Sequence, residues 1–343
     1  MKKSSISRGV KALAITGLFT TASLSLGACA SGDIEESGNA QSGDGTTKCE
    51  GSDRDYLIGM SQANVAEPYR QQMDDDIRAA AEEFSNLEVV FADAAQDNAK
   101  QVADVENFIT QGVDLLMISP NEATPLTAVV KKAYDAGIPV ILLDRRIDGD
   151  TYTTFIGGDN TQMGEEAGRY VAEVLLPDGG KVVEVKGLAG STPAQERSDG
   201  FASTVSENPD VEIIATADGD WIREEGQSQM DAILQANPEI DVVYSHNDPM
   251  AEGAYLAAKS VGREKDIKFI GMDGLPIPSG GIQSVIDGRL SATLIYPTGG
   301  KEAMAAANSL LNECTELPKD QILDTLLVNP DNAEDTLAAN KTS

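Results

Sequence analysis

The chain has 343 residues, of which 56 are acidic and 26 basic, and its formal net charge at pH 7 is −30. A protein this acidic lacks the basic footprint that nucleic-acid binding requires, and an anionic membrane surface would repel it. Nucleic acid and anionic lipid headgroups are therefore excluded as partners.

The N-terminal segment has the features of an export signal. Its basic side chains come first: Lys2, Lys3, Arg8 and Lys11. The apolar stretch that follows, ALAITGLFTTASLSLGA, is too short and too rich in Ser and Thr for a transmembrane helix, which needs about 20 apolar residues. It ends in LGAC, which resembles a lipobox. Residues 1–28 are therefore predicted to be a lipoprotein signal peptide, and Cys29 the lipidated N-terminus of the mature protein.

Residues 29–53 are rich in Gly, Ser, Asp and Glu and have almost nothing to bury. Such a composition predicts a flexible tether between the lipid and a globular body. The body, from about residue 54 to residue 340, is long enough for two lobes at about 100–200 residues each. Lipid, tether and body together predict an extracytoplasmic protein that contacts the membrane only through its lipid anchor.

From residue 55 onward, short apolar strands alternate with amphipathic helices. In chain order the pattern predicts strand DYLIGM, helix 68–84, strand LEVVFAD, helix 97–112, strand VDLLMISP, helix 123–137 and strand IPVILLD. Gly112 and Gly137 follow two helix ends, where the backbone needs a positive φ. This regular alternation predicts a parallel sheet with helices on both faces.

The same alternation then begins again. It predicts strand TTFIGGD, helix 160–176, strand GGKVVEVKG, helix 196–208, strand VEIIATADGD, helix 223–237, strand IDVVYSHND, helix 250–262, strands IKFIGMDG and LSATLIYP, helix 301–313 and strand ILDTLLVN. The fold class is therefore α/β, with two doubly wound lobes. Ligands of such sheets bind beyond the carboxyl ends of the strands, and clefts between domains are favoured sites.

Polar and aromatic side chains stand where strands give way to loops. The candidate ligand-binding residues are Ser61, Asn64, Tyr69, Arg70, Asp144, Arg145, Arg197, Trp221, Asn247, Asp273 and Tyr296. Carboxylates accept hydrogen bonds from hydroxyl groups, guanidinium and amide groups donate them, and aromatic rings cover the C–H faces of a sugar. Because acidic and basic members offset one another, the set indicates a neutral polyol ligand.

Catalytic and metal motifs are missing from the sequence. His246 is the single histidine, and no GxSxG elbow accompanies it. The segment DGDWIREE lacks the Gly and the bidentate Glu of a calcium loop, and neither CxxC, HExxH nor a P-loop occurs. No catalytic residue, metal or cofactor is predicted.

Four segments carry a family resemblance: ILLDRRID, GDNTQMGEEAG, SHNDPMAEGA and FIGMDGLP. In this order and spacing they resemble the ribose/galactofuranose-type periplasmic binding proteins, over about residues 55–330. The resemblance implies two Rossmann-like lobes with parallel sheets, joined by three hinge crossings and closing around a monosaccharide. The implied N-lobe is 54–156 plus 297–326, and the implied C-lobe is 157–296 plus 327–338.

Several candidate residues match the family's binding positions. Those that fall on sugar hydrogen-bonding positions are Asp144, Arg145, Arg197, Asn247 and Asp273, and Trp221 falls on an aromatic wall. The first loop departs from the ribose binders, because it is longer and carries only Tyr69 instead of paired aromatics. Its length is more like that of the galactofuranose binders. Tyr296 stands where ribose binders often have an amide, so the particular sugar stays open.

The resemblance also implies a function and a disulfide. The function is that of the monomeric solute-binding lipoprotein of an ABC importer, which delivers fructose, ribose, galactofuranose or a similar sugar to permease subunits. A sensory receptor of the same fold is the alternative, and a sugar-acting enzyme is a third, which lacks a paired carboxylate or a nucleophile. In the family topology Cys49 and Cys314 reach the same pole of the N-lobe, which implies a disulfide rather than two free thiols.

Overall fold

A computed structural model describes residues 49–340 of the chain. The predicted signal peptide, Cys29 and most of the predicted tether lie outside the described residues. No helix in the described range has both the length and the apolar character needed to cross a bilayer.

Strands and helices alternate along the described chain. The strands are β1 (Tyr56–Gln62), β2 (Leu87–Asp93), β3 (Leu115–Ile118), β4 (Val140–Leu143), β5 (Thr154–Gly158), β6 (Gly180–Lys186), β7 (Val211–Asp218), β8 (Val242–Ser245), β9 (Lys268–Ile270), β10 (Thr293–Ile295), β11 (Asp320–Leu323) and β12 (Leu326–Val328). The helices are α1 (Pro68–Ala81), α2 (Asn98–Gln111), α3 (Ala123–Asp135), α4 (Asn160–Tyr170), α5 (Thr192–Val205), α6 (Arg223–Ala236), α7 (Asp248–Ser260), α8 (Gly281–Ile286), α9 (Gly300–Leu311) and α10 (Ala333–Asn340). Helix α4 continues into one π-helical turn, Val171–Leu175.

The N-lobe is built on a six-stranded sheet with strand order β11-β5-β4-β3-β1-β2. Every pairing between neighbours in this sheet is parallel. Strands β3 and β4 are buried throughout, which explains why they are uninterrupted apolar runs in the sequence. Because the strands are parallel, all their carboxyl ends lie at one edge of the sheet.

The C-lobe is built on a parallel sheet with strand order β7-β6-β8-β9. Isolated bridges, Ile270 with Ala292 and Asp273 with Ile295, connect the β9 region to β10. Strand β12 pairs with β10 in the antiparallel direction. The prediction of an α/β fold with two lobes and parallel sheets is confirmed, and the antiparallel pair of β10 and β12 is an addition that the sequence pattern did not indicate.

The chain passes between the two sheets at three places. These crossings follow β5, follow β10 and separate β11 from β12. The segment ILDTLLVN, predicted as one strand, is divided so that its two halves belong to different sheets. Its apolar run gives no sign of this break, because both halves are edge strands with similar side chains.

Glycines bring pairs of C-lobe helices into very close contact. A Cβ on Gly200 of α5 would lie 2.2 Å from the backbone oxygen of Thr161 in α4. A Cβ on Gly253 of α7 would likewise lie 2.2 Å from the backbone oxygen of Arg223 in α6. Only glycine permits such an approach of two backbones. The close packing fixes the helix starts that surround the cleft.

A disulfide bond holds the first described residue, Cys49. Cys49 and Cys314 form a disulfide with a Cα–Cα distance of 5.4 Å, as the resemblance implied. Cys49 precedes β1 and Cys314 follows α9, so the bond lies at the amino ends of the strands. The Tyr56 hydroxyl donates to the Leu311 carbonyl at 2.8 Å beside it. The disulfide therefore closes the N-lobe at the pole away from the carboxyl ends.

Candidate functional site

A cavity lies between the carboxyl ends of the two sheets. Its walls are formed by Glu67, Tyr69, Arg70, Asp144, Arg145, Pro193, Arg197, Trp221, Asn247 and Asp273. The structure thus brings together all but three of the candidate residues. The wall holds three carboxylates and three guanidinium groups, so its formal charges balance.

Three wall residues have a left-handed backbone. The φ angles of Asp144, Trp221 and Asp273 are 63°, 72° and 114°. Non-glycine residues rarely adopt such angles, and local strain of this kind clusters at functional sites. Each of the three residues follows a strand, β4, β7 or β9, and the tight turn directs its side chain toward the cavity. This strain has no signature in the sequence.

The N-lobe contributes a buried cluster of charges. Arg70 Nη2 lies 2.6 Å from Asp144 Oδ2, and Arg145 Nε lies 3.6 Å from the same oxygen. Arg70 Nη1 also donates to Ser119 Oγ at 2.8 Å, and Arg145 Nη1 donates to the Asn121 carbonyl at 2.9 Å. These bonds hold both guanidinium groups in fixed orientations toward the cavity.

The cluster keeps its groups ionised. Burial alone would raise the pKa of Asp144, but Arg70, Arg145 and Arg197 hold that pKa below its usual value. Burial, together with the neighbouring Arg70, lowers the pKa of Arg145 to about 10. Arg145 is therefore still charged at neutral pH. A ligand meets a carboxylate that accepts and two guanidinium groups that donate.

The C-lobe holds its cavity-facing groups through protein oxygens. Arg197 Nε donates to Asn160 Oδ1 at 2.8 Å, and Arg197 Nη1 donates to the His246 backbone carbonyl. Asn247 caps α7, because its Oδ1 accepts from Met250 N at 3.0 Å, and its Nδ2 donates to the Trp221 carbonyl at 3.0 Å. The amide of Asn247 keeps a second N–H and a second lone pair for a ligand.

Asp273 is the acidic group of the C-lobe wall. Burial and the nearby Asp248 raise the pKa of Asp273 well above its usual value, although Arg197 opposes them. Asp248 is itself fixed, since it accepts from Thr293 Oγ1 at 2.7 Å and from Gly274 N at 2.8 Å. Asp273 accepts hydrogen bonds as a carboxylate and also donates one once it is protonated, and both actions suit a hydroxyl group.

Trp221 forms the aromatic wall. The guanidinium carbons of Arg145 and Arg197 lie 5.4 Å and 5.6 Å from its ring centre, one from each lobe. Trp221 Nε1, Arg70 Nε and Arg145 Nε are buried donors with no hydrogen-bond acceptor among the described residues. Unpaired buried donors cost free energy, so the cavity favours a ligand that offers acceptor oxygens.

Three candidates do not line the cavity, and their role as direct ligand contacts stays a prediction. Ser61 is fully buried in β1. Asn64 Nδ2 donates to Glu67 Oε1 at 2.7 Å, so Asn64 positions Glu67. Tyr296 lies behind the wall, where its hydroxyl is 3.4 Å from the Asp144 carbonyl and 3.4 Å from Asn160 Nδ2.

Two wall residues, Glu67 and Pro193, were not among the candidates. Glu67 is the N-cap residue of α1, but its side chain makes no capping hydrogen bond and instead lines the cavity, where Asn64 holds one of its oxygens. Pro193 lies in the first turn of α5, four residues before Arg197. The sequence signal that could have identified both residues is that each lies in the segment that follows a strand. The predicted start of α5 at residue 196 was too late and left Pro193 in a loop.

Metal ligation has no support in this region. Among residues 49–340, His, Cys, Asp and Glu side chains do not gather in groups of three that could hold an ion. The cavity instead combines balanced charges, unpaired donors and an aromatic face. Two doubly wound lobes around such a cavity define a bilobal binding protein.

Comparisons with known proteins agree with this class. The profile of the family described as periplasmic binding protein domain matches residues 58–314. The ribose import binding protein RbsB of Bacillus subtilis is 33% identical over 264 residues, which cover 76% of this chain and 84% of that protein. The galactofuranose-binding protein YtfQ of Escherichia coli is 31% identical over 293 residues, which cover 83% of this chain and 91% of that protein.

A solved structure extends the comparison to the fold. The fructose-binding periplasmic domain of a hybrid two-component system superposes with a TM-score of 0.81 at 42% identity, over 84% of this chain and 95% of that domain. The chain therefore belongs to the periplasmic binding protein family. The resemblance inferred from the four sequence segments is confirmed.

Proposed function

We propose that the protein is the extracytoplasmic sugar-binding component of an ABC importer. It closes its two lobes on a neutral monosaccharide and delivers the sugar to the permease. The observation that carries this proposal is the cavity wall, in which charges balance, buried donors lack acceptors and Trp221 offers an aromatic face. Relatives named for ribose, galactofuranose and fructose support the ligand class.

Neutral ligands fit the electrostatics of the site. An anion would leave Asp144 facing like charge, and a cation would do the same to Arg145 and Arg197. Hydroxyl groups instead accept from the unpaired nitrogens and donate to the carboxylates without adding net charge. The apolar C–H face of the sugar would lie against Trp221.

Contacts across the cleft support the closing step. The Ala123 amide donates to the Gly190 carbonyl at 3.0 Å, and the Arg146 amide donates to Thr192 Oγ1 at 3.0 Å. A third bond joins Gln96 Nε2 to the Asp220 carbonyl at 3.1 Å. Each contact joins the N-lobe to the C-lobe at the rim of the cavity. Closure around the sugar forms these bonds, and opening breaks them to release it.

The cellular setting belongs to the same proposal. The signal peptide ends at Ala28, Cys29 carries the lipid, and residues 30–53 tether a monomeric body to the outer face of the cell membrane. The Cys49–Cys314 disulfide supports this setting, because disulfides persist in oxidising compartments. The proposal assigns the protein no catalytic role.

A sensory role is the second candidate. It is favoured by the 42% identity to a periplasmic domain of a two-component system. Proteoliposomes that contain the permease and its ATPase decide between the two roles. Sugar uptake that depends on added binding protein supports transport. Ligand-dependent kinase activity without uptake would support sensing.

A thermal-shift screen over a few dozen monosaccharides tests the ligand class. A sugar at 100 times its Kd should stabilise the folded state by about 2.7 kcal/mol. Inorganic anions and nucleotides serve as controls and should leave the melting temperature unchanged. Stabilisation by a charged metabolite, with no effect of any sugar, would overturn the proposal.

Trp221 supplies a second test without engineering, because it is the only tryptophan in the chain. Its emission should change saturably with the sugar found in the screen. Trp221→Ala should weaken binding by about 1–3 kcal/mol through lost apolar contact, and Trp221→Phe should weaken it less. Normal binding by the alanine variant would remove Trp221 from the site.

A further inference from the structure

His246 is buried directly behind the C-lobe wall. Its Nε2 lies 3.0 Å from Glu184 Oε1, and its Nδ1 accepts a hydrogen bond from the Gly187 amide at 3.3 Å. A ring nitrogen that accepts from an N–H carries no proton itself. The proton of a neutral imidazole must therefore be on Nε2, where it is donated to Glu184. The two partners define one tautomer.

The surroundings of His246 connect it to three wall residues. A Cβ on Gly187 would lie 2.2 Å from the ring of Trp221, so the tryptophan packs on the segment that His246 binds. The backbone carbonyl of His246 accepts from Arg197 Nη1. The next residue along the chain is Asn247. The ring of Trp221, the guanidinium of Arg197 and the amide of Asn247 therefore all depend on the position of His246.

We propose that His246, oriented by Glu184, is the positioning residue of the C-lobe half of the sugar site. The neutral imidazole fixes the Gly187 segment, and this segment in turn sets the depth of Trp221 in the cavity. The ring acts through Gly187 and Trp221 and does not itself contact the ligand. The affinity part of this inference rests on the proposed function, whereas the tautomer and the position of Trp221 do not.

The charges around the ring support the neutral form. Burial lowers the pKa of His246, Glu184 opposes this effect, and Arg197 and Lys186 lower the pKa further. Burial would raise the pKa of Glu184, but the bond to His246 brings it below its usual value. The other facing groups are aromatic, Tyr244 at 5.2 Å and Trp221 at 6.3 Å between ring centres. A protonated Nδ1 would point its hydrogen at the Gly187 N–H.

The first experiment reads the tautomer directly. His246 is the only histidine, so a long-range ¹H–¹⁵N spectrum of the whole protein shows one imidazole and needs no assignment by mutation. We expect the Nε2–H tautomer at pH 7 and a titration midpoint below the ordinary histidine value of about 6.5. An Nδ1–H tautomer, or an imidazolium at pH 7, would overturn the proposal. This readout needs no sugar.

The second experiment measures what His246 positions. His246→Leu should shift the emission of Trp221 in the sugar-free protein and reduce sugar affinity at least tenfold. His246→Gln keeps a donor toward Glu184 and should recover part of the affinity. Gly187→Ala should produce the same kind of emission shift with the imidazole intact, because its Cβ displaces the tryptophan.

A matched control comes from the N-lobe. Gln62 is fully buried at the end of β1, and its Nε2 donates to Asp74 Oδ1 at 2.8 Å. Gln62→Leu should destabilise the fold as His246→Leu does, but leave Trp221 emission unchanged and sugar affinity within twofold. If the two leucine variants behave alike, His246 is only a stabilising residue. If wild-type protein binds no sugar, the proposed function fails, while the tautomer and emission results still decide the role of His246.

Discussion

The two lobes hold their halves of the cavity in different ways. In the N-lobe, cavity-facing groups are held by ion pairs, as Arg70 and Arg145 are by Asp144. In the C-lobe, Arg197 and Asn247 are held by carbonyl oxygens of their own lobe. The N-lobe half is therefore organised mainly by charge. The positions of the cavity-facing groups in the C-lobe therefore depend on how the backbone of that lobe is packed.

Glycine packing shows the same contrast. The C-lobe glycine Gly200 faces a backbone oxygen, which cannot move without moving α4. The N-lobe glycine Gly59 faces the ring of Phe108, which would lie 2.7 Å from a Cβ at this position, and a ring can rotate away. At these two positions the C-lobe therefore tolerates less added volume than the N-lobe does.

The largest effect is expected from alanine at these two glycines. Gly200→Ala should lower the free energy of unfolding by more than about 3 kcal/mol, because backbone must shift. Gly59→Ala should lower it by about 1–3 kcal/mol, since Phe108 can adapt. Urea denaturation of both variants measures the difference. Equal losses would contradict the contrast between the lobes.

Removing one arginine from each lobe separates affinity from stability. Arg145→Ala should weaken sugar binding by about 2–4 kcal/mol and leave the fold intact, because Arg70 still pairs with Asp144. Arg197→Ala should weaken binding and also destabilise the fold by about 1–3 kcal/mol, since two buried oxygens lose a donor. Calorimetry and denaturation measure the two quantities. Binding by Arg145→Ala within threefold of wild type would make Arg145 structural.

Loss of the disulfide should affect the N-lobe and spare the site. Replacing Cys49 and Cys314 by alanine opens a loop of 265 residues and should cost about 2–4 kcal/mol of stability. Sugar affinity should stay within twofold, because the bond lies at the pole opposite the cavity. Thiol labelling of the unfolded, unreduced wild-type chain, with Cys29 deleted, provides the control. Two labelled cysteines would show that the bond is absent.

Asp273 predicts an effect on stability that depends on pH. Its folded pKa is raised, so the folded state binds more protons than the unfolded state above the unfolded pKa of about 3.9. The stabilisation that comes from this extra proton binding is fully present below the unfolded pKa. It is lost as the pH rises toward the folded pKa. Asp273→Asn should therefore gain stability over wild type as the pH increases from 4 to 7, by about 1.4 kcal/mol for each pH unit between the unfolded and the folded pKa. Urea denaturation at pH 4, 5.5 and 7 measures the free energy of unfolding of both proteins. A difference between them that stays constant with pH would contradict this prediction.

Sequence periodicity predicted most of the fold because parallel strands buried on both faces form apolar runs. Strand β2 matches its predicted segment LEVVFAD residue for residue. The short helix α8 and the terminal helix α10 were missed, since neither has a long apolar stripe. The π-helical turn after Tyr170 was also missed, because its residues suit an ordinary helix equally well.

The candidate site was largely predictable for a topological reason. Residues that follow parallel strands meet at one edge, and this placed Asp144, Trp221 and Asp273 together. The sequence could not predict which of these residues reach the cavity surface, because that depends on which other side chains lie between them and the cavity. Tyr296 and Ser61 follow or end strands just as the wall residues do, yet they are covered by the wall. Glu67 was passed over because a missing cap bond is visible only in three dimensions.

The three crossings between lobes have a consequence for biosynthesis. The C-lobe strands β6 to β9 come from one continuous stretch of chain, so this sheet can form as soon as that stretch is made. The N-lobe sheet instead waits for β11, which pairs with β5, and its disulfide waits for Cys314. Long sequence separations slow folding because a large loop must close first. We expect pulse-labelled hydrogen exchange during refolding to show protection in β6 and β8 before β5, so that the half built from the first residues to emerge is the last to be completed.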